Sequence, residues 1–178
     1  MLLRSLVYRA VETRLGATNV GVRCGPVDAA ALAHWRHAWR PAFRPDAPAS
    51  HWRWDALRAR LRSDPYRFEV AVWGRRQSPG VGGAAVGDEL CGLALGVLSN
   101  RRRVVRVQYL ARSPVPGAPL KGLVGPTVAA AAELYGLVWG AAEVRFEDPL
   151  PGAGRVYRAL GYELVQPPSG KAYFVVPL

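Results

Sequence analysis

The sequence has few of the features that mark a secreted, metal-clustered or membrane-spanning protein. Its 178 residues include only two cysteines, Cys24 and Cys91, which lie far apart. Two cysteines are too few for a disulfide framework and have no redox or metal-binding spacing, so we expect small core residues in a reduced, cytoplasmic protein. No apolar run approaches the roughly 20 residues that a membrane-spanning helix needs. These shortages favour a globular protein without a membrane span.

Acidic residues and lysines are also scarce. The chain has 13 Asp and Glu against 24 Lys and Arg, a formal net charge of +11, and Lys121 and Lys171 are its only lysines. An arginine excess of this size can attract nucleic acid. The arginines are scattered, however, and the chain is rich in Ala, Gly and Pro, as a compositional bias would produce. A nucleic-acid partner and a compositional bias therefore stand as equal alternatives.

The length and the hydrophobic content are typical of one globular domain. Residues 1–19 are predicted to form an amphipathic N-terminal helix that packs on its own domain, because Leu3, Val7 and Ala10 recur at helical spacing. Arg4 and Arg9 interrupt its apolar residues, which argues against a secretory signal. Residues 20–178 are predicted to form the main domain.

The first half of that domain reads as one strand, two helices and three strands. Asp28 is the expected N-cap of the first helix and Ser50 that of the second. The three strands are joined by short connections, which predicts an antiparallel meander, except that a long loop expected to be mobile lies between the first two. The segments are strand 19–27, helices 29–40 and 51–62, strands 68–74, 89–99 and 103–111, and loop 75–88.

The second half alternates helices with strands. A very apolar helix with Pro126 in its first turn is expected to be buried, and the strand that follows it should lie parallel to the third meander strand. A second helix and two closing strands complete the chain. The segments are helix 126–139, strand 142–148, helix 151–160 and strands 162–166 and 172–178. This order predicts an α/β fold with a mixed, mostly antiparallel central sheet flanked by helices.

Two segments have residues suited to chemistry. The glycine-rich loop PGAPLKGLVG, residues 116–125, precedes the apolar helix. Free N–H groups at a helix start bind phosphates, and glycines let a phosphate approach. The segment AGRVYRALGY, residues 153–162, places Tyr157 four residues before the glycine that ends its helix. Val156 and Leu160 are expected to point inward, with the Tyr157 ring at the edge of the core. By itself each pattern is also typical of an ordinary turn or a packed tyrosine.

Together these two segments and the element order resemble the GNAT superfamily of N-acetyltransferases over residues 20–178. The resemblance rests on Gly122 in the loop and on Ala153, Tyr157, Gly161 and Tyr162 in the later segment. Pro119, Val124 and Leu150 depart from the family's basic or amide, small and asparagine residues, respectively. The Pro-Leu-Lys-Gly of the loop is also similar to that of GNAT-like proteins of bacteriophages and prophages.

The resemblance implies acyl transfer from acetyl-coenzyme A to an amine acceptor that the sequence does not identify. In this family the tyrosine of the later helix, here Tyr157, often protonates the departing coenzyme A thiolate. The backbone of the strand before the loop meets the thioester carbonyl, and the loop cradles the pyrophosphate. The residues implied for the cofactor are Gln108, Tyr109, Leu110, Lys121, Gly122, Leu123, Val124 and Gly125.

A general base is the least defined role. Glu147 and Asp148 end the strand beside the expected cleft and are the candidates, with Glu69 and Glu133 as alternatives. Each carboxylate could equally be a solvated or capping charge, and Asp148 before Pro149 could only shape a turn.

Several other readings stay open. Arg101–Arg103 form a solvated turn, or contact the 3′-phosphate of coenzyme A or a nucleic acid. Three histidines, at 34, 37 and 51, lack a clear carboxylate or cysteine partner for a metal, so no metal site is predicted. One or two of the early tryptophans could line the acceptor site. The competing functions are a phage-type modifier of nucleic-acid bases and a GNAT-shaped binding protein that has lost transfer; a homodimer is left open.

Overall fold

A seven-stranded mixed sheet forms the centre of the molecule. The computed structural model describes residues 2–16, 21–61, 64–75, 87–99 and 101–178. Among the described strands, β4 and β5 are the one parallel pair and all the others pair antiparallel. The spatial order is β1-β2-β3-β4-β5-β7-β6, with β1 Val22–Gly25, β2 Arg67–Arg75, β3 Asp88–Leu98, β4 Val104–Arg112, β5 Glu143–Glu147, β6 Glu163–Val165 and β7 Tyr173–Pro177. The predicted α/β class, the meander and the parallel pair are confirmed.

Helices cover both faces of this sheet. The helices are α1 Leu2–Gly16, α2 Ala29–His34, α3 Arg40–Ala42, α4 Trp54–Arg60, α5 Val124–Trp139 and α6 Gly154–Ala159. A π-helical turn, Trp35–Trp39, joins α2 to α3 without a break, and a 3-10 turn, Pro48–His51, precedes α4. None of the helices in the described part of the chain is long and apolar enough to cross a membrane.

Strand alternation divides the core into two clusters. Val72, Val107 and Phe146 point to one face, where they pack with α1, α5 and α6. Trp73 and Leu93 point to the other face, where they pack with the residues of α2 to α4. Because successive side chains of a strand face opposite ways, the glycine-rich loop before α5, whose Leu120 packs in the first cluster, and the early helices lie on different sides of the sheet.

The N-terminal helix packs in the first of these clusters. Val7, Tyr8 and Val11 of α1 are buried. The Tyr8 hydroxyl donates a hydrogen bond of 2.6 Å to the backbone oxygen of Glu69 in β2. Helix α1 therefore packs on its own domain, as its pattern indicates, and the division of the chain at residue 19 stays a prediction.

Capping was predicted correctly for one early helix and wrongly for the other. The Asp28 carboxylate accepts a hydrogen bond of 2.9 Å from the backbone of Ala31, as expected. Ser50 does not cap α4, because it lies inside the 3-10 turn and its hydroxyl donates to the backbone oxygen of Pro45. The helix begins only at Trp54. Most of the long loop predicted between the first two meander strands lies outside the described residues.

Candidate functional site

Strands β4 and β5 separate at the level of Gln108. Their parallel pairing runs from Val104 opposite Glu143 to Val107 opposite Phe146 and ends there. Strand β4 continues beside β3 as far as Arg112, so its other edge from Gln108 onward has no partner among the described strands. Backbone groups on such an edge are available to a ligand. Gln108, Tyr109 and Leu110, the residues predicted to meet a thioester, all lie on this edge.

A β-bulge marks the same position. The register between β3 and β4 shifts between Leu95 opposite Tyr109 and Gly96 opposite Val107, which leaves Gln108 as the extra residue. A Cβ atom added at Gly96 would lie 2.1 Å from the backbone oxygen of Arg106. Only glycine lets the two strands approach so closely, and a bulge of this kind bends the strand that carries it. Gly96 was not predicted as a site residue; its signal in the sequence is a glycine inside a strand.

The start of α5 presents unpaired N–H groups. The backbone N–H of Leu123 donates to the oxygen of Leu120 at 2.9 Å. The N–H groups of Lys121, Gly122, Val124 and Gly125 make no hydrogen bond within the described residues. With the positive end of the helix dipole, they form an arrangement that suits a phosphate. Gly122 has φ +82° and open space around it, so glycine is needed there for its conformation.

Two strand glycines make room for the unusual residues of this loop. A Cβ atom at Gly74 would lie 2.9 Å from Pro119 and 2.8 Å from Leu120. A Cβ atom at Gly92 would lie 2.4 Å from the Val124 side chain. Pro119 and Val124, where the family has a basic or amide and a small residue, therefore fit because the sheet beneath them lacks side chains.

Tyr157 lies where β4 and β5 begin to separate. Its ring centroid is 4.5 Å from that of Phe146, the last β5 residue paired with β4, and 5.1 Å from that of Phe174. Tyr157 is 4% exposed. Its neighbour Val156 was predicted to point inward; instead it is 37% exposed, because the aromatic cluster takes Tyr157 as the inward residue. Val156 nonetheless bounds the start of α5, since a Cβ at Gly125 would lie 3.1 Å from it.

The Tyr157 hydroxyl is in its protonated form and has no hydrogen-bond partner among the described residues. Within the described residues it makes no hydrogen bond, and its oxygen is not among the fully enclosed atoms that lack a partner. Burial raises the pKa of Tyr157 well above its ordinary value of 10. The neighbouring Tyr162 differs, because its hydroxyl donates a 2.9 Å hydrogen bond to Glu133.

The candidate bases have different surroundings. Glu147, at the end of β5, is paired with Arg106, and the adjacent Asp148 is paired with Lys171. The pKa of Lys171 is raised, first by its hydrogen bond to Asp148 and, to a lesser extent, by Tyr109. Asp148 and Lys171 therefore form an exposed ion pair just after the end of β5.

The two alternative carboxylates are engaged elsewhere. Glu69 is 3% exposed and is bound by the guanidinium groups of Arg4, Arg58 and Arg67. Glu133 accepts the hydrogen bond from Tyr162. These partners give both side chains a structural role.

Aromatic side chains bound the opposite, early-helix side of the cleft. Trp52 meets Tyr109 edge-on with ring centroids 5.4 Å apart, while Trp35, Trp39 and Trp54 are core residues. Leu150 packs against the same cluster. Trp52 is thus the early tryptophan that contacts the separating strand β4.

A groove of about 580 Å³ lies over β4, β5 and β7 and the segment before β7. Its lining includes Arg106, Arg145, Glu147, Lys171 and Tyr173. Arg145 is stacked 4.6 Å from the Tyr173 ring and paired with Glu143, so the groove carries paired charges of both signs.

No metal site is formed by the described residues, among which no group of three His, Cys, Asp or Glu side chains is suitably placed. His34 packs edge-on to Trp73 at 5.8 Å. Burial lowers the pKa of His34, while Glu89 acts in the opposite direction. Both cysteines are buried, which fits core residues.

Comparison with solved structures identifies the fold. The GNAT domain of S. lividans PAT superposes with a TM-score of 0.57 at 12% identity, over 88% of this chain and 90% of that domain. An acetyltransferase from Thermus thermophilus gives 0.56 at 16% identity, over 89% and 97%. The NatC complex bound to Gag peptide and CoA gives 0.53 at 12% identity, over 89% and 99%.

Neither a protein-family model nor a curated protein matches the chain by sequence. At identities of 12% and 16% the structural similarity shows the fold alone. The chain has the mixed α/β fold of the GNAT acetyltransferases.

Proposed function

We propose that the protein transfers an acyl group, in the simplest case acetyl, from coenzyme A to an amine acceptor. The proposal rests on three structural features that lie close to one another in the sheet. The ring of Tyr157 packs on Phe146, where the pairing of β4 and β5 ends. Val156 beside it touches Gly125 in the first turn of α5. A tyrosine, an unpaired strand edge and a helix start with unpaired N–H groups thus lie near one another, which is the arrangement that acyl transfer would require.

The residues present fit coenzyme A through their backbone. The free N–H groups of Lys121, Gly122, Val124 and Gly125 would bind the pyrophosphate, with the Lys121 ammonium adding charge. The edge of β4 at Gln108–Leu110 would hold the thioester carbonyl, whose oxygen gains negative charge during attack. The acyl thioester is the chemistry that the bound cofactor supplies.

Two side chains would transfer protons, one as the acid and one as the base. Tyr157 would donate its proton to the departing thiolate, since a phenol is protonated throughout the neutral range. Asp148 would take the proton of an ammonium acceptor, since it directly follows the end of β5, past the last residue paired with β4, and its ion pair with Lys171 is exposed. Glu147 is held by Arg106 and would position the strand end. The acceptor would enter beside Trp52 and Tyr109.

A thermal-shift titration with acetyl-coenzyme A tests the cofactor assignment. Binding to the native state alone raises stability, by about 2.7 kcal/mol at 100 times Kd. Gly122→Ala should abolish the shift. Gly140→Ala is the matched control, because Gly140 has φ +70° in open space at the other end of the same helix. The absence of a shift at millimolar ligand would refute the proposal.

Transfer itself is measured by release of free thiol in the presence of a panel of amines and peptides. Asp148→Asn should lower turnover most at pH values where the acceptor is charged. Cofactor binding without transfer to any acceptor would instead make the protein a GNAT-shaped binding protein.

A further inference from the structure

A cluster of arginines lies at one end of the sheet, where β2 begins and β3 turns into β4. In residues 58–69 and 101–103 the described arginines outnumber the carboxylates, which are Asp64 and Glu69, and Arg4 of α1 joins them through Glu69. We refer to these arginines as the basic end: Arg4, Arg58, Arg60, Arg67, Arg101, Arg102 and Arg103. Arg60 and the three arginines of the turn are exposed.

Hydrogen bonds and ring contacts bring these segments together. The backbone oxygen of Tyr66, just before β2, accepts a 2.9 Å hydrogen bond from Leu98 at the end of β3. The guanidinium carbon of Arg102 lies 5.2 Å from the centre of the Tyr66 ring. Arg67, the next residue, pairs with Val97 across the sheet. The turn and the start of β2 thus form one surface.

A buried carboxylate holds three more arginines in this surface. The carboxylate of Glu69 forms ion pairs with Arg4 at 3.2 Å, Arg58 at 3.3 Å and Arg67 at 3.0 Å. One carboxylate can neutralise only one of these three cations. The cluster therefore keeps excess positive charge, on guanidinium groups whose positions α1, α4 and β2 fix. Arginine clusters fixed in this way are suited to phosphate because the planar fork donates two hydrogen bonds.

The turn itself carries a charged residue in a strained conformation. Arg102 has φ +52°, which favours glycine, and its backbone N–H donates to Ser99 at 2.6 Å. A glycine would relieve the strain and remove the charge. Strained backbone at an exposed position is a recognised mark of functional sites.

This surface is separate from the proposed cofactor loop. The turn lies at the beginning of β4, and the loop follows the end of β4 at Arg112. A strand of nine residues spans about 26 Å at 3.3 Å per step. The arginines of the turn are therefore unsuited to the 3′-phosphate of a coenzyme A bound at the loop.

We propose that the basic end binds the phosphate backbone of a nucleic acid. Exposed arginines at 101–103 with no carboxylate between them match phosphates that repeat along a chain. The proposal does not depend on acyl transfer, since it concerns the opposite end of β4.

Fluorescence anisotropy of the full chain with a labelled single strand of about 16 nucleotides, and with its duplex, tests the proposal. Affinity should fall with salt, with a slope in log–log form of about −0.7 per phosphate neutralised on the single strand. Arg101→Gln/Arg102→Gln/Arg103→Gln should weaken binding at least about tenfold and reduce that slope by about 2. The single variant Arg60→Gln, on the exposed surface of α4, should weaken binding severalfold and serves if the triple variant does not fold.

The matched control removes the same charge elsewhere. Arg40, Arg44 and Arg75 are exposed and lie outside the basic end, so Arg40→Gln/Arg44→Gln/Arg75→Gln should retain most of the binding. Equal losses in the two triple variants would show a net-charge effect only and overturn the proposal. Absence of binding at low salt would also overturn it, as would equal affinity for polyglutamate, which would indicate an acidic protein partner.

Discussion

The hydroxyl of Tyr157 can be removed without disturbing what surrounds it. The ring packs against Phe146, Phe174 and Tyr162, and these contacts are unchanged by Tyr157→Phe. The hydroxyl makes no hydrogen bond within the described residues. We therefore expect a change in the free energy of unfolding of less than about 0.5 kcal/mol.

Turnover should respond very differently. General-acid catalysis contributes about 10²–10⁴-fold in rate, and the thiolate can still leave slowly without a proton donor. We expect Tyr157→Phe to lower kcat by roughly 10–10³-fold, which corresponds to about 1.4–4 kcal/mol of transition-state stabilisation. The affinity for coenzyme A should stay nearly the same, because the loop N–H groups are untouched.

Tyr162→Phe is the matched control in the same aromatic cluster. Its hydroxyl donates to Glu133 at 2.9 Å, so its removal leaves a half-buried carboxylate without that donor. We expect a loss of about 1.5–3 kcal/mol in stability and little change in kcat. The two variants should therefore show opposite patterns.

The prediction is tested by urea denaturation, cofactor titration and thiol-release assays on both variants. The reasoning is refuted if Tyr157→Phe destabilises the protein while kcat holds, or if both variants lower kcat alike.

Three further predictions concern the glycines and the pH response. Gly96→Ala should lower the free energy of unfolding by about 3 kcal/mol, measured by urea denaturation, because the new Cβ meets the backbone oxygen of Arg106 at 2.1 Å; a loss below about 1 kcal/mol would contradict the bulge geometry. Gly92→Ala should lower the free energy of unfolding by about 1–3 kcal/mol. Adding Val124→Ala should recover much of that loss, since the two side chains would compete for one space. Strictly additive losses in a double-mutant cycle would contradict this prediction. The pKa of His34 is lowered in the folded state, so the unfolded state takes up a proton at higher pH, and stability should fall as pH drops through about 6.5. Denaturation at several pH values should show a flatter dependence of stability on pH in His34→Gln. An unchanged pH dependence would assign it to other groups.

The fold was predictable where local patterns agree with burial. Asp28 caps its helix, and Pro126 lies in the first turn of α5, because both residues suit only those backbone positions. The meander followed from three strand-like runs with short connections. These signals are local, so they do not need the tertiary structure.

The shape of the candidate site was less predictable, because it depends on pairs of residues far apart in sequence. Gly96 forms the bulge only against β4, and Gly92 makes room only for Val124. A single sequence shows these glycines as irregularities within strands, without their partners. The departures at Pro119 and Val124 looked unfavourable for the same reason.

The inward face of α6 was mistaken because the helix is short. Six residues, Gly154–Ala159, do not define an apolar face by periodicity, and Val156 is the more hydrophobic choice. Phe146, Phe174 and Tyr162 form an aromatic cluster that only a flat ring completes. Those partners come from β5, β7 and the turn after α6, which pair only in the folded sheet.

The burial of the Tyr157 ring also raises the question of why residue 157 has a hydroxyl. Phenylalanine would fill the space between Phe146 and Phe174 equally well, and a tyrosine buried for packing ordinarily finds a hydrogen-bond partner, as Tyr162 does with Glu133. The Tyr157 hydroxyl has none within the described residues and gains nothing from the contacts of its ring. Packing therefore accounts for the ring alone. The ring lies against Phe146, where the pairing of β4 and β5 ends, and in the proposed reaction a departing thiolate would give the hydroxyl the partner that the described residues do not.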